Sequence, residues 1–191
     1  MKSLKGTKTE KNLLQSFAGE SQARTRYTFF ASAAKKEGYE QISAVFTETA
    51  DNEKEHAKRF FKFLEGGEAE ITASFPAGKI GTTAENLQAA ADGENEEWTK
   101  AYPEFARVAE EEGFEEIAEA FKYIAKVEAA HEKRYRKLLE NIKYEKVFCK
   151  DGVVRWKCRN CGYVYESKEA LDECPACKHS KAYQEVFVEN Y

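Results

Sequence analysis

A chain of 191 residues, 34% charged and 42% hydrophobic, is long enough for one good core plus a small appendage and too apolar for a disordered segment. Its net charge of −4, from 34 acids against 30 bases, offers no basic field for nucleic acid, and no run approaches the 18 or so apolar residues a membrane span needs. The start, Met1-Lys2-Ser3-Leu4-Lys5-Gly6, lacks the apolar stretch of a secretion signal, so a cytoplasmic location is expected.

Residues 1–146 are rich in helix-compatible Ala, Glu, Lys, Leu and Phe and contain no cysteine. A first helix opens on Thr7-Lys8-Thr9-Glu10, which has capping-box spacing, and runs to Gly38. A second follows from Glu40 to Gly66-Gly67, where the glycine pair stops it. Residues 68–82, with Phe75-Pro76-Ala77-Gly78, form a long connection. Another capping-box pattern, Thr82-Thr83-Ala84-Glu85, opens a third helix that ends near Gly113 and is kinked or interrupted at Pro103. The fourth runs from Phe114 to Asn141 or a little beyond. Two hairpins joined by one long crossover make an all-α four-helix bundle. Residues 147–191 hold all five cysteines with many aromatic and β-branched residues, and form a second, small, mostly irregular or β unit.

The two hairpins repeat. Shifting Gly38–Glu65 by 75 positions makes 12 of 28 residues coincide, among them Phe46/Phe121, Glu53/Glu128 and His56/His131. Upstream the shift becomes 74, giving Gly19/Gly93 and Glu20/Glu94, so one residue is inserted between the two registers. Packing two similar hairpins explains the apolar coincidences. It does not explain the Glu and His ones.

Glu53-x-x-His56 and Glu128-x-x-His131 each set a carboxylate and an imidazole on one helix face, one turn apart. With so many glutamates, one such pair arises by chance roughly one time in six. Both bundle histidines carry one, at equivalent positions, and Glu20 and Glu94 add an equivalent pair on the preceding helices. A Glu from two helices and a Glu-x-x-His from the other two is the di-iron or di-manganese carboxylate constellation. Carboxylates facing a bundle core each lose several kcal/mol of hydration unless cations compensate them. Glu97 lies three residues beyond Glu94, and its counterpart is Ala23, so the second hairpin offers one carboxylate more. Tyr27 and Tyr102 coincide at a shift of 75, placed either to hydrogen-bond ligating carboxylates or simply to fill core.

Cys158-x-x-Cys161 and Cys174-x-x-Cys177 are two knuckles separated by 12 residues, a strong signature of a tetrahedral S4 metal site that suits zinc or iron. Cys149 lies outside the pairs and reads as an ordinary thiol; His179 is not needed as a ligand.

The run Cys158-x-x-Cys161-Gly162-Tyr163-Val164-Tyr165 followed by Cys174-Pro175-x-Cys177 resembles the rubredoxin knuckle pattern. A ferritin-like Glu/Glu-x-x-His bundle with such a tail resembles the rubrerythrin family over essentially the whole chain. The resemblance implies a ferritin-like bundle over 1–146 and a rubredoxin-like Fe(Cys)4 unit over 147–191. It implies a non-haem di-iron centre held by Glu20, Glu53, Glu94, Glu97, Glu128 and His131, with His56 recruited on reduction as one iron leaves Glu97. It further implies reduction of hydrogen peroxide to water as oxidative stress defence in an anaerobe, with electrons arriving singly through the tail iron from a donor such as rubredoxin or an NAD(P)H-dependent reductase. Lys178 stands where a glycine often follows the second knuckle, so a left-handed turn there carries roughly 1–2 kcal/mol of strain.

His131 to Asn141 spans about 15 Å of helix before the tail begins. A tail beyond the bundle's end lies at least that far from its own di-iron site, which predicts a head-to-tail homodimer. Three other readings compete: an iron-oxidising or iron-handling protein, a di-iron oxidase using oxygen, and a redox-silent zinc-ribbon interaction protein.

Overall fold

The computed structural model describes residues 2–190. Helix α1 (Lys8–Lys36) pairs with α2 (Glu40–Phe61), and α3 (Thr83–Glu96) with α4 (Tyr102–Glu111) packs on α5 (Glu115–Lys143). Leu13, Glu20, Ala23, Tyr27, Phe30 and Ala34 mark the buried stripe of α1, spaced by three, four or seven residues as a core-facing helix requires. The helix starts follow their caps. The Thr82 hydroxyl and Glu85 carboxylate satisfy each other's backbone N–H groups in a full capping box. At α1 the box is shifted: Thr7 Oγ1 accepts from Glu10 N at 3.0 Å, while the Glu10 carboxylate reaches back one residue further, to Gly6 N at 2.7 Å.

Two expectations need correction. Helix α2 stops at Phe61, five residues before the glycine pair. Phe63 and Leu64 already bond back to the carbonyls of Phe60 and Phe61, a tighter last turn that lets Phe63 and Leu64 pack against the buried end of the bundle. The third helix is interrupted ahead of Pro103, not at it. Glu97–Ala101 forms a π-helical turn, and Pro103 sits in the first turn of α4, where its missing N–H costs nothing. The inserted residue that shifts the repeat from 74 to 75 falls between Glu94 and Tyr102, and the π turn is where the helix absorbs it.

The bundle has two apolar cores. One gathers Tyr27, Phe30, Phe46, Leu87 and Tyr135; the other gathers Leu13, Phe60, Tyr102, Phe121 and Ile124. Between them runs a polar layer of Glu20, Glu53, Glu94, Glu128 and His131, all buried. Beyond α5, β1 (Cys149–Cys158) pairs antiparallel with β2 (Val164–Glu169) on one edge and β3 (Gln184–Val186) on the other. Trp156 is the fully buried centre of this sheet, and its Nε1 donates to the Ser167 carbonyl at 3.0 Å. The sheet unit docks on the α1–α2 turn: Phe148 stacks on Tyr39 with ring centroids 6.0 Å apart, and Ala182 lies against Gly38. Among the described residues no helix is long and apolar enough to cross a membrane.

Candidate metal centres

The helical phase that buries the two cores also turns one residue from each of α1 and α3, and two from each of α2 and α5, into the layer between them. Glu53 and Glu128 are central. Glu53 presents Oε2 to His56 Nδ1 at 2.9 Å and Oε1 to His131 Nδ1 at 3.2 Å. Glu128 does the same with its other order, Oε1 to His56 at 2.9 Å and Oε2 to His131 at 2.8 Å. Each carboxylate therefore spans both histidines. Potential ligand atoms fall into two overlapping groups, Glu20, Glu53, His56 and Glu128 in one, and Glu53, Glu94, Glu128 and His131 in the other. Each group could hold one ion, and Glu53 and Glu128 are common to both.

The polar atoms themselves argue for cations. Glu20 Oε2 and Glu94 Oε2 are buried without a hydrogen-bond partner, and Glu53 Oε1, both oxygens of Glu128 and His131 Nδ1 have only the carboxylate–imidazole contacts just described, whereas buried polar atoms are satisfied almost everywhere in proteins. Burial pushes the carboxyls of Glu20 and Glu94 well above the usual range, reinforced by the charges of Glu53 and Glu128. Burial likewise raises Glu97 to about 8, with Glu128 and Glu53 adding to it. Burial acts on Glu53 too, but hydrogen bonds from His131 and His56 override it and hold that carboxyl at about 2. The same neighbourhood lifts the imidazoles against their burial, His56 to about 10 and His131 to about 9, through the carboxylates of Glu128 and Glu53. A layer this rich in buried carboxylates calls for compensating positive charge. Two divalent ions would supply it.

Glu97 lies at the edge of this layer. It is half-buried, outside both four-residue groups, and its carboxyl feels those of Glu128 and Glu53. It stands one turn beyond Glu94, where α1 has Ala23 in the equivalent position, and the π turn begins at Glu97 itself. The two tyrosines cross over between the hairpins. Tyr27 of α1 donates to Glu94 Oε1 of α3 at 2.6 Å, and Tyr102 of α4 donates to Glu20 Oε1 of α1. One partner escaped the sequence reading. His131 Nε2 faces Asn52 Oδ1 at 3.3 Å, an acceptor that turns Nδ1 toward the carboxylates. The repeat equivalent of Asn52 is Val127, which has no polar group for His56, so repeat matching alone passes over it.

In the tail, Cys158, Cys161, Cys174 and Cys177 converge as free thiols. Sγ atoms of Cys158 and Cys177 are 3.7 Å apart, and those of Cys161 and Cys174 3.6 Å. A tetrahedron with metal–sulfur bonds of about 2.3 Å has edges of about 3.8 Å. Each knuckle closes the same way: Gly162 N bonds to the Cys158 carbonyl at 2.8 Å and Lys178 N to the Cys174 carbonyl at 2.9 Å, both residues with positive φ, +82° and +64°. The left-handed Lys178 is as the sequence implied. His179 is not among the converging ligand atoms: its Nδ1 lies 3.2 Å from the Cys177 carbonyl and its ring is edge-on to Tyr183, while Cys149 lies apart near Glu169.

Comparison with known proteins agrees with this geometry. The family profile "Rubrerythrin" matches residues 11–139, and "Rubrerythrin, rubredoxin-like domain" matches residues 156–185. The chain is 67% identical over 190 residues to a rubrerythrin of Porphyromonas gingivalis, covering all of this chain and 95% of that one. It is 57% identical over 191 residues to a rubrerythrin of Nitratidesulfovibrio vulgaris, with both chains fully covered. Among solved structures, mixed-valence nigerythrin superposes with a TM-score of 0.63 at 30% identity, covering 97% of this chain and 89% of the other. The bundle layer fits a di-iron site and the four cysteines fit a mononuclear iron site.

Proposed function

The chain belongs to the rubrerythrin family, and we propose that it is a peroxidase that reduces hydrogen peroxide to two waters. In this reading Glu20, Glu53, Glu94, Glu97, Glu128, His131 and His56 hold two irons, and Cys158, Cys161, Cys174 and Cys177 hold a third. The observation that carries it is the pairing, in one chain, of a buried two-ion layer with a separate tetrahedral thiol site. A one-electron S4 centre serves a reductase-fed reaction and has no evident task in iron storage. When bound, the two irons supply the pair of electrons for O–O cleavage and act as Lewis acids toward the departing oxygen.

The chain's own residues do the rest. Glu53 and Glu128 fix the two ion positions relative to one another, because each spans both histidines. Tyr27 and Tyr102 hold Glu94 and Glu20 in place. Asn52 fixes His131, whereas the equivalent Val127 leaves His56 without such a tether. We therefore assign His56 and Glu97, the two more exposed members, as the ligands that alternate with oxidation state. Half-buried His56 also delivers protons, two being consumed with two electrons for each peroxide.

The tail docks on the α1–α2 turn, and Glu53 lies 14 residues along α2 from Tyr39, a rise of about 21 Å. Electron transfer over such a span is slow, so we propose a head-to-tail homodimer in which each tail serves its partner's di-iron layer. The donor is a small redox protein such as rubredoxin or an NAD(P)H-dependent reductase.

The test is the visible spectrum and metal content of anaerobically reduced protein, before and after one equivalent of peroxide. The reading expects a red ferric-thiolate band that bleaches on reduction and returns rapidly with peroxide. Zinc in the tail, or faster return with oxygen than with peroxide, overturns it.

A further inference from the structure

The proposed di-iron layer is almost sealed. Glu20 and Glu128 are 0% exposed, Glu53 and Glu94 1%, and His131 5%. Any reactant must reach it through an opening, and one is present on the Glu97 side. A cavity of about 170 Å³ lies between α1, the π turn and the crossover that joins the hairpins. Its lining includes Gly19, Glu97 and Tyr102 from the bundle, Gln22 and Arg26 further along α1, and Phe75 of the crossover. It therefore meets both the most exposed glutamate of the layer and the tyrosine that bonds Glu20.

The crossover wall is built, not left over. Residues 62–82 connect the hairpins without a helix or strand, a length at which loops in compact domains usually have a task. Within that segment Ser74 and Pro76 are exposed, while Phe75 between them is half-buried, its ring edge 3.5 Å from where a Gly19 Cβ would stand. A larger side chain at position 19 would fill the cavity floor or expel the ring. The segment is latched by Gln22, whose Nε2 donates to the Pro76 carbonyl at 2.7 Å, and Gln22 Oε1 accepts from Arg26 Nε at 3.0 Å. One aromatic ring thus narrows a passage whose rim is polar.

We propose that this cavity is the access port of the di-iron layer and that Phe75 is its size filter, admitting hydrogen peroxide and holding out branched alkyl hydroperoxides. Hydrogen peroxide is little larger than a water, whose share of liquid volume is about 30 Å³. A tertiary alkyl group has to displace the ring. The proposal rests on the peroxidase reading for its substrate, but the port does not.

The test uses full-length, iron-loaded protein with Phe75→Ala, Phe75→Trp and Gln22→Ala variants. Two quantities are measured: the ratio of kcat/KM for tert-butyl hydroperoxide to that for hydrogen peroxide, and the rate at which azide perturbs the absorbance of the oxidised di-iron site. Phe75→Ala is expected to raise the ratio at least tenfold, and Phe75→Trp to slow azide at least tenfold. Gln22→Ala, which frees the latch without touching the ring, is expected to speed azide several-fold. An unchanged ratio in Phe75→Ala, or azide rates indifferent to all three changes, overturns the proposal. If wild-type protein reduces no hydroperoxide, the peroxidase reading fails while the azide rates still decide the port.

Discussion

Replacing Tyr27 by Phe removes one oxygen and leaves the shape of a side chain that is 1% exposed, so no cavity complicates the result. What is lost is the 2.6 Å hydrogen bond to Glu94 Oε1. Its worth depends on the charge of Glu94. In metal-free protein burial pushes that carboxyl well above the usual range, which favours its neutral form, and a bond to a neutral group contributes about 0.5–1.5 kcal/mol. With a cation beside it Glu94 is ionised, and a hydrogen bond to a charged group contributes about 1.5–3 kcal/mol. The difference, about 1 kcal/mol, is felt by the metal: affinity should fall about fivefold. For a chain of this size each kcal/mol moves Tm by about 2–4 °C. Helix melting should therefore drop by about 2–4 °C in metal-free Tyr27→Phe and by about twice that in loaded protein. Circular dichroism gives the melts, and competition with a chelator gives the affinity. A metal-free loss as large as the loaded one, with unchanged affinity, would refute the assignment of Glu94 as an ionised ligand.

Asn52→Leu removes the acceptor at His131 Nε2 and should weaken metal binding in the bundle by about 10–100-fold, read by cobalt titration against a competing chelator; an unchanged titration would show that packing alone orients the ring. Lys178→Gly relieves a left-handed residue at the second knuckle and should stabilise the loaded tail by about 0.5–1 kcal/mol in urea denaturation, the relief of strain exceeding glycine's added entropy. Gly38→Ala puts a Cβ on a residue with φ +84° that faces Ala182, and should cost about 1–2 kcal/mol and loosen tail docking, seen as faster amide exchange in β3. Stripping the tail metal should open the two knuckles and β1 to amide exchange while the helices stay protected, because the four thiols hold turns that little apolar burial supports.

The helix count, the long crossover and the grouping of Glu20, Glu53, His56, Glu94, Glu128 and His131 are legible from the sequence because a tandem repeat holds them in register. Two similar hairpins must place equivalent residues equivalently, so coincidences that packing does not require stand out. What breaks the repeat is harder to read. The 74-to-75 shift announces an insertion, but a proline nearby draws attention to Pro103, and only the backbone shows that a widened turn takes up the extra residue upstream. The early end of α2 is a tertiary effect: Phe63 and Leu64 gain more from folding under the bundle than from extending the helix to Gly66. Asn52 is silent because its counterpart is Val127. Phe75 is silent because a long polar segment gives no periodicity against which a buried ring would register.

The π turn at Glu97–Ala101 carries a consequence of its own. One extra residue in an α-helix turns everything after it by about 100° and advances it by about 1.5 Å. Spread along α4, that would swing Tyr102 away from Glu20 and strip Phe121 of its neighbour. Held in a single loop of backbone, the mismatch is local, and Tyr102 returns to the place its twin Tyr27 holds in the other half. The two halves thus differ in backbone at a single turn, and everything beyond it keeps the place of its counterpart; the fifth carboxylate is a separate difference, Glu97 against Ala23. Deleting one residue between Glu97 and Tyr102 is the inverse experiment: it should give Glu94 to Tyr102 the seven-residue spacing of Glu20 to Tyr27 in an unbroken α-helix, with Tyr102 still bonded to Glu20.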